Sequence, residues 1–495
     1  MRRSGILLHI SSLPSKYGIG TLGKEAYEFV DFLRSAGQCL WQILPLGPTS
    51  YGDSPYQSPS TYAGNPYFID FDLLRDEGLL KEEEYSCYFW GDNEEYIDYS
   101  AIYNSRYKVL RIAFERGWNR DKKGIEAFIK ENEKWINDYG LFMAVKRKFK
   151  MKSFITWDRD IRLREPEALD RYKKELEDEI NFNIYIQYLF YNQWYSLKSY
   201  ANKKGIKIIG DIPIYVAEDS ADAWANPEIF MLDSDRIPLL VAGCPPDAFS
   251  EDGQLWGNPL YNWDKLKEDG FAWWIDRIKG ANKLYDIVRV DHFRAFSSFY
   301  AVKQGALNAR VGQWKKAYGK ELFKKLKEEL PSIDIIAEDL GYITDDVHEL
   351  MNAVGFPGMK ILLFAFGDGG NSEFIPYKID ENSVAYIGTH DNDTFMGWWK
   401  NALEDEKELA IRYMNLTIDE GYNWGIIRTL YGTRASSVIV QLQDILGLDN
   451  SARMNLPSTI GENWRWRFKK ASITKEITDR LYTLSKTFGR LDDIN

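Results

Sequence analysis

The stretch IVRVDHFRAF (287–296) starts as a β-branched run and, with no turn residue between, ends in Asp291, His292 and Arg294. Other apolar runs end in the same way: IKIIGD in Asp211, IDIIAE in Glu338 and SVAYIGTHD in Asp391. A single Asp after a strand is most often a helix cap or a turn residue. Four acidic groups at corresponding places are harder to explain by folding, because convergent carboxylates raise one another's pKa. Two carboxyl groups with opposed shifts are what glycoside cleavage needs: one attacks the anomeric carbon and the other protonates the departing oxygen.

The sequence assigns those two parts. Strand alternation puts Arg289 on the same face as Asp291, where a guanidinium should keep the carboxylate ionised, as a nucleophile requires. Glu338 follows Ile335, Ile336 and Ala337. Desolvation and nearby anions should therefore push its pKa up and leave it a proton to give. If the two carboxyl groups stand about 5–5.5 Å apart, configuration is retained through a covalent glycosyl-enzyme.

The elements that must position these groups repeat one grammar. GILLHI (5–10) reads as a buried strand; Ala26, Phe29, Val30 and Leu33 follow at helical spacing, Gly37 stops that helix, and LWQILPL (40–46) is a second strand. Strands then recur from Ile206, Tyr285, Ile333, Met359, Ser383 and Ser437, which makes eight. Amphipathic stretches separate the later ones, such as Phe271, Trp274, Ile275 and Ile278, or Val347, Leu350, Met351 and Val354. Alternating strands and helices predict a parallel sheet, and eight units favour closure into a (β/α)₈ TIM barrel, whose βα loops gather at the C-terminal face. The rival, a doubly wound open sheet, lacks a Gly-x-Gly-x-x-Gly turn after any strand.

A single catalytic barrel over 1–495 is expected, with a mainly helical insertion at 75–195 between strands two and three and a second at 217–283 between strands three and four. Within the latter, PPDAFSEDGQLWGNP (245–259) has Pro near both ends and Gly253 and Gly257 inside, the pattern of a lid loop whose Trp256 could supply a sugar platform. About 50 residues follow the last strand, too few for a separate C-terminal β domain.

Composition agrees with an ordinary globular chain, 44% hydrophobic and 28% charged. Seventeen Trp and 31 Tyr exceed the usual needs of core packing and suit flat hydroxylated ligands. The net charge of −11 argues against nucleic acid and anionic membrane as partners. Cys39, Cys87 and Cys244 are odd in number and far apart, so they frame neither disulfides nor a zinc site, and with no signal peptide and no long apolar run the expected location is cytoplasmic. HDNDT resembles the Asp-x-Asp-x-Thr of aspartyl-phosphate phosphatases, but that motif opens an α/β domain whereas this one ends the seventh unit.

Taken together, SSLPSKYGIGTLG (11–23), WQILPLGPTSYGDSPYQSPSTYAGNP (41–66), GDIPIYVAEDSADAWANPEIF (210–230), AGCPPDAFSEDGQLWGNPLYNW (242–263), RVDHFR (289–294), AEDLG (337–341), PGMKILLFAF (357–366), GTHDNDT (388–394) and the run from ARMNLP to NWRWR (452–467) resemble the 4-α-glucanotransferases called amylomaltase or disproportionating enzyme, within the α-amylase clan. The resemblance implies Asp291 as nucleophile, Glu338 as general acid and then base, and Asp391 as the carboxylate that grips ring hydroxyls. It also implies that Arg289, His292 and His390 bind the same glucose unit or orient the carboxylates, with Asp211 in support and Tyr56, Phe364 and Asn463 as further sugar contacts. The implied donors are maltooligosaccharides and starch- or glycogen-type α-1,4-glucans, the acceptor a glucan or glucose, with no cofactor and no metal. A hydrolase of the same clan and a non-catalytic glucan-binding barrel are the alternatives. His9 and His348 lack a site-like setting, and His348 should lie on a solvated helix face.

Overall fold

A computed structural model describes residues 2–50, 52–246 and 251–491. The eight apolar runs form eight parallel strands: β1 (Arg3–Leu7), β2 (Leu40–Gln42), β3 (Lys207–Ile212), β4 (Ile287–Val290), β5 (Ile335–Ala337), β6 (Gly358–Ile361), β7 (Ser383–Tyr386) and β8 (Ser437–Gln441). They lie in one sheet in the order β6-β7-β8-β1-β2-β3-β4-β5. The Ala337 N–H donates to the Pro357 carbonyl at 3.0 Å, drawing β5 to the start of β6 and bringing the sheet round into a barrel.

The barrel is filled, and partly with polar groups. Tyr386 donates its hydroxyl to Gln42 Oε1 across the interior at 2.8 Å, which pays back the desolvation of both. Gly210 has no Cβ for a packing reason: one added there would meet the Tyr285 ring at 2.1 Å. On the outside, the helix Lys24–Ser35 buries Ala26, Phe29, Val30 and Leu33, and the chain reverses through Gly37 at φ 68°.

Between β2 and β3 the chain forms a helical lobe that includes Tyr99–Arg120, Lys122–Glu131 and Ile136–Lys148. It ends in the helix Glu177–Lys203, whose 27 residues run past 195 and deliver the chain directly to β3. After β8 the described residues hold short turns and the helix Lys475–Thr487. No helix among the described residues is long and apolar enough to cross a membrane.

The segment 245–259 differs from the expected lid loop. Leu240–Cys244 and Gln254–Pro259 pair as antiparallel strands, so Trp256 sits on a strand; residues 247–250 lie outside the described residues. Ser298–Lys303 and Gly312–Lys316, from the connection after β4, complete a four-stranded antiparallel sheet. The sequence reading missed this second pair because GQWKK lies on a largely exposed edge and carries no apolar alternation.

Candidate active site

Register fixes the level at which the acidic groups emerge. Asp211 on β3 pairs with Arg289 on β4, and Val290 with Ala337 on β5, so Asp291 and Glu338 are the next residues out on neighbouring strands. The ladder continues one step beyond the regular strands: Asp291 N–H donates to Ile212 O at 3.0 Å and Glu338 N–H to Val290 O at 3.1 Å. Parallel strands in register thus place Asp291 and Glu338 side by side at the rim, with Asp211 buried below them at the level of Arg289.

Arg289 organises two of them. Its Nη1 donates to Asp211 Oδ2 at 2.5 Å and to Asp291 Oδ1 at 2.9 Å, and its Nε faces Met359 Sδ at 3.4 Å. Side-chain exposure is 3% for Arg289 and 0% for Asp211, against 28% for Asp291, so the ion pair is buried while Asp291 reaches the cleft. Tyr56 donates its hydroxyl to the same Asp211 oxygen at 2.7 Å.

Burial dominates the protonation of the Asp291–Glu338 pair. Asp291 rises to about 6 because burial, Asp211 and Asp391 outweigh the Arg289 contact. The expected ion pair with Arg289 forms and favours the ionised carboxyl, but its guanidinium is shared with Asp211, so Asp291 still lies above its ordinary value. Glu338 rises further, to about 8, through burial and the charge of Asp291, with Arg289 and two backbone N–H groups opposing. Those donors are Leu340 N–H to Oε1 and His292 N–H to Oε2, each at 2.8 Å. His292 makes its bond from a left-handed backbone, φ 51° and ψ 47°, uncommon for a residue with a Cβ. That turn also sets its ring edge-on against Trp256, with centroids 4.7 Å apart.

Asp391 is built differently. His390 Nε2 stands 3.2 Å from Oδ2 and Asn455 Nδ2 donates to Oδ1 at 2.6 Å. Burial works against its charge, but His390 and Asn455 prevail and hold the carboxyl at about 2. His390 in turn lies above its ordinary value, since Asp391 outweighs the burial that disfavours the cation. Tyr56 stacks on the His390 ring at 5.1 Å and 14°, and Trp464 leans on both.

Asp211, Arg289, Asp291, His292, Glu338, His390, Asp391, Tyr56 and Trp256 are therefore joined by contacts in one cluster. Phe364 and Asn463 are not. Phe364, just past β6, packs edge-on against Phe374 at 5.5 Å. Asn463 spends its amide inside its own loop, accepting from Leu456 N–H and donating to Thr459 O. Its neighbour in the same terminal run, Asn455, makes the contact to Asp391 that Asn463 does not. Arg453, from ARMNLP, also donates to the Asp391 backbone carbonyl at 2.6 Å. Both lay within a quoted motif, yet nothing in its residue types singles out one Asn over another. His9 needs correction too: it is buried, accepts the Leu44 N–H on Nδ1 at 3.2 Å, and lines a cavity with His390. His348 is exposed on the helix Asp345–Val354.

Comparison with known proteins agrees over nearly the whole length. A family model described as 4-alpha-glucanotransferase matches residues 8–474. The 4-alpha-glucanotransferase of Clostridium butyricum is 51% identical over 487 residues, covering 98% of this chain and 100% of its own. That of Thermus thermophilus is 42% identical over 501 residues, covering 99% of both. Among solved structures, the amylomaltase from Streptococcus agalactiae in complex with acarbose superimposes with a TM-score of 0.98 at 46% identity, covering 99% of this chain and 100% of that one.

Proposed function

The chain belongs to the 4-alpha-glucanotransferase family, and from that premise we infer that Asp291, Glu338 and Asp391 carry the transfer of an α-1,4-glucan segment from a donor to an acceptor hydroxyl. The observation that carries the reading is the pair Asp291 and Glu338, next to each other on adjoining strands with carboxyls at about 6 and about 8. Between those values the first is ionised and the second still holds its proton, the division of labour a retaining reaction needs.

In the first step an Asp291 oxygen attacks the anomeric carbon while Glu338 gives its proton to the glycosidic oxygen; the C1–O4 bond breaks, the reducing-end fragment leaves as an alcohol, and a glycosyl ester forms on Asp291. In the second, Glu338, now a carboxylate, takes the proton of an acceptor 4-hydroxyl as that oxygen attacks C1, and Asp291 departs as carboxylate. Two inversions give retention. Arg289 stabilises Asp291 as it enters and leaves the ester. Asp391, held ionised at about 2, accepts hydrogen bonds from ring hydroxyls, which strengthen as positive charge develops on the sugar.

Transfer wins over hydrolysis when a sugar, not water, occupies the acceptor position at the ester. Trp256 and His292, edge to face beside Glu338, supply an apolar wall there. Maltooligosaccharides and longer α-1,4-glucans are the proposed donors, with glucose or a glucan chain as acceptor. Incubation with maltotriose tests this: glucose together with oligomers longer than the substrate means transfer, whereas glucose and maltose alone with rising reducing ends mean hydrolysis.

A further inference from the structure

Two buried atoms near Asp391 have no protein partner: His390 Nδ1 and Gln441 Nε2. Both side chains line one small cavity, about 10 Å³, with His9, Ser12 and Gln443 and the apolar walls Leu44 and Met454. That is close to the smallest volume that holds a water molecule, and a buried water typically needs two to four polar partners. His9 qualifies as a third. Its Nδ1 accepts the Leu44 N–H, so in the neutral ring the hydrogen sits on Nε2.

We propose that His9 and Gln441 are positioning residues for Asp391, acting through one water held in this cavity to fix neutral His390 as the tautomer with its hydrogen on Nε2. The argument is a count of donors and lone pairs. A water that accepts from His9 Nε2–H and Gln441 Nε2–H has used both lone pairs. It can then only donate, and of the two partnerless buried side-chain atoms that line the cavity the one able to accept is His390 Nδ1. With Nδ1 committed as an acceptor, the ring hydrogen is on Nε2 and points at Asp391 Oδ2, 3.2 Å away. A second proton on His390 would turn Nδ1 into a donor facing two other donors, and the cavity resists it.

The charged groups around the ring pull in both directions. Asp391 and Asp211 favour the cation, whereas Arg289 and His9 oppose it. The balance leaves His390 above its ordinary value; the cavity opposes that rise without reversing it, and fixes which nitrogen carries the hydrogen once the ring is neutral. This inference rests on the reading of Asp391 as the carboxylate that holds the ring.

The chain has four histidines, so ¹⁵N-histidine labelling gives a resolvable spectrum. At pH 8 wild-type His390 should show a protonated Nε2 and a hydrogen-bonded, unprotonated Nδ1. Gln441→Glu puts an acceptor in the cavity and should raise the His390 titration midpoint by about one unit or more, with kcat falling more than KM rises. Gln441→Leu should loosen the tautomer preference without that upward shift. A wild-type spectrum with the hydrogen on Nδ1 overturns the proposal whether or not any variant folds. So does a folded Gln441→Glu protein with an unmoved midpoint, since a merely structural glutamine would lower Tm alone. Asp391→Asn separates the two layers: full activity in that variant would remove the assigned role of Asp391 while leaving the tautomer result intact.

Discussion

Arg289 donates to Asp291 Oδ1 at 2.9 Å, yet the Asp291 carboxyl stands at about 6 rather than below its ordinary range. The same nitrogen is 2.5 Å from Asp211, which is fully buried. Arg289→Gln would leave that carboxylate unpaired in the interior, so a loss of about 3–5 kcal/mol of stability is expected, measured by denaturant unfolding. Arg289→Lys keeps the charge but not the planar guanidinium whose Nη1 serves both carboxylates, and should fold with kcat lowered by about 10–100-fold. Unchanged stability in the Gln variant would mean that the buried pair is not held as described.

Asp291→Asn removes the nucleophile without changing its size. Turnover should fall by about 10⁴-fold or more, while binding of maltooligosaccharides, followed by Trp fluorescence, stays within a few-fold of wild type. Retained turnover would eliminate the covalent route.

The pH dependence follows from the same pair. The profile of kcat/KM should be bell-shaped with limbs near 6 and 8, values that belong to the coupled Asp291–Glu338 pair as a whole. Arg289 lowers both carboxyls, so Arg289→Lys, if the ammonium sits farther away, should move both limbs upward. A wild-type profile that stays flat through pH 8 would assign that ionisation elsewhere.

Stability carries the complementary signature. Glu338 binds its proton more tightly folded than unfolded, where an ordinary carboxyl titrates near 4.5. Its contribution is therefore fully present below 4.5 and is lost as pH rises through about 8. Glu338→Gln, which has no proton to lose, should be the more thermostable protein at pH 9, by about 1–3 °C in Tm, and inactive. Asp391 has the opposite sign: its contribution is present above the ordinary carboxylate value and fades as pH falls toward 2.

The barrel was legible because parallel strands covered on both faces read as unbroken apolar runs, and the rim acids were legible because each interrupts such a run at its end. Where the chain is exposed, that contrast disappears. Lys315 and Lys316 lie in an edge strand with little burial, and Trp256 lies in a strand whose sequence, Gly on both sides of QLW, reads as loop. His9 has no site-like setting in the sequence, yet β1 lies two places from β7 in the barrel and brings it to His390. Contacts made by strand order are invisible to local pattern.

Asn455 and Asn463 turn that lesson into a contrast that can be measured. They lie in one terminal run, eight residues apart, and only Asn455 touches a rim carboxylate, through its 2.6 Å bond to Asp391 Oδ1. A hydrogen bond to a charged group contributes about 1.5–3 kcal/mol, and here it also orients the carboxylate toward the sugar. Asn455→Ala should therefore lower kcat/KM by about 10–100-fold with a modest change in Tm. Asn463→Ala loses an exposed loop cap to Leu456 and Thr459, so it should cost about 1 kcal/mol or less and leave kcat/KM within a few-fold. Equal losses of activity in the two variants would show that the terminal run acts on the site as a whole, not through the single amide bonded to Asp391.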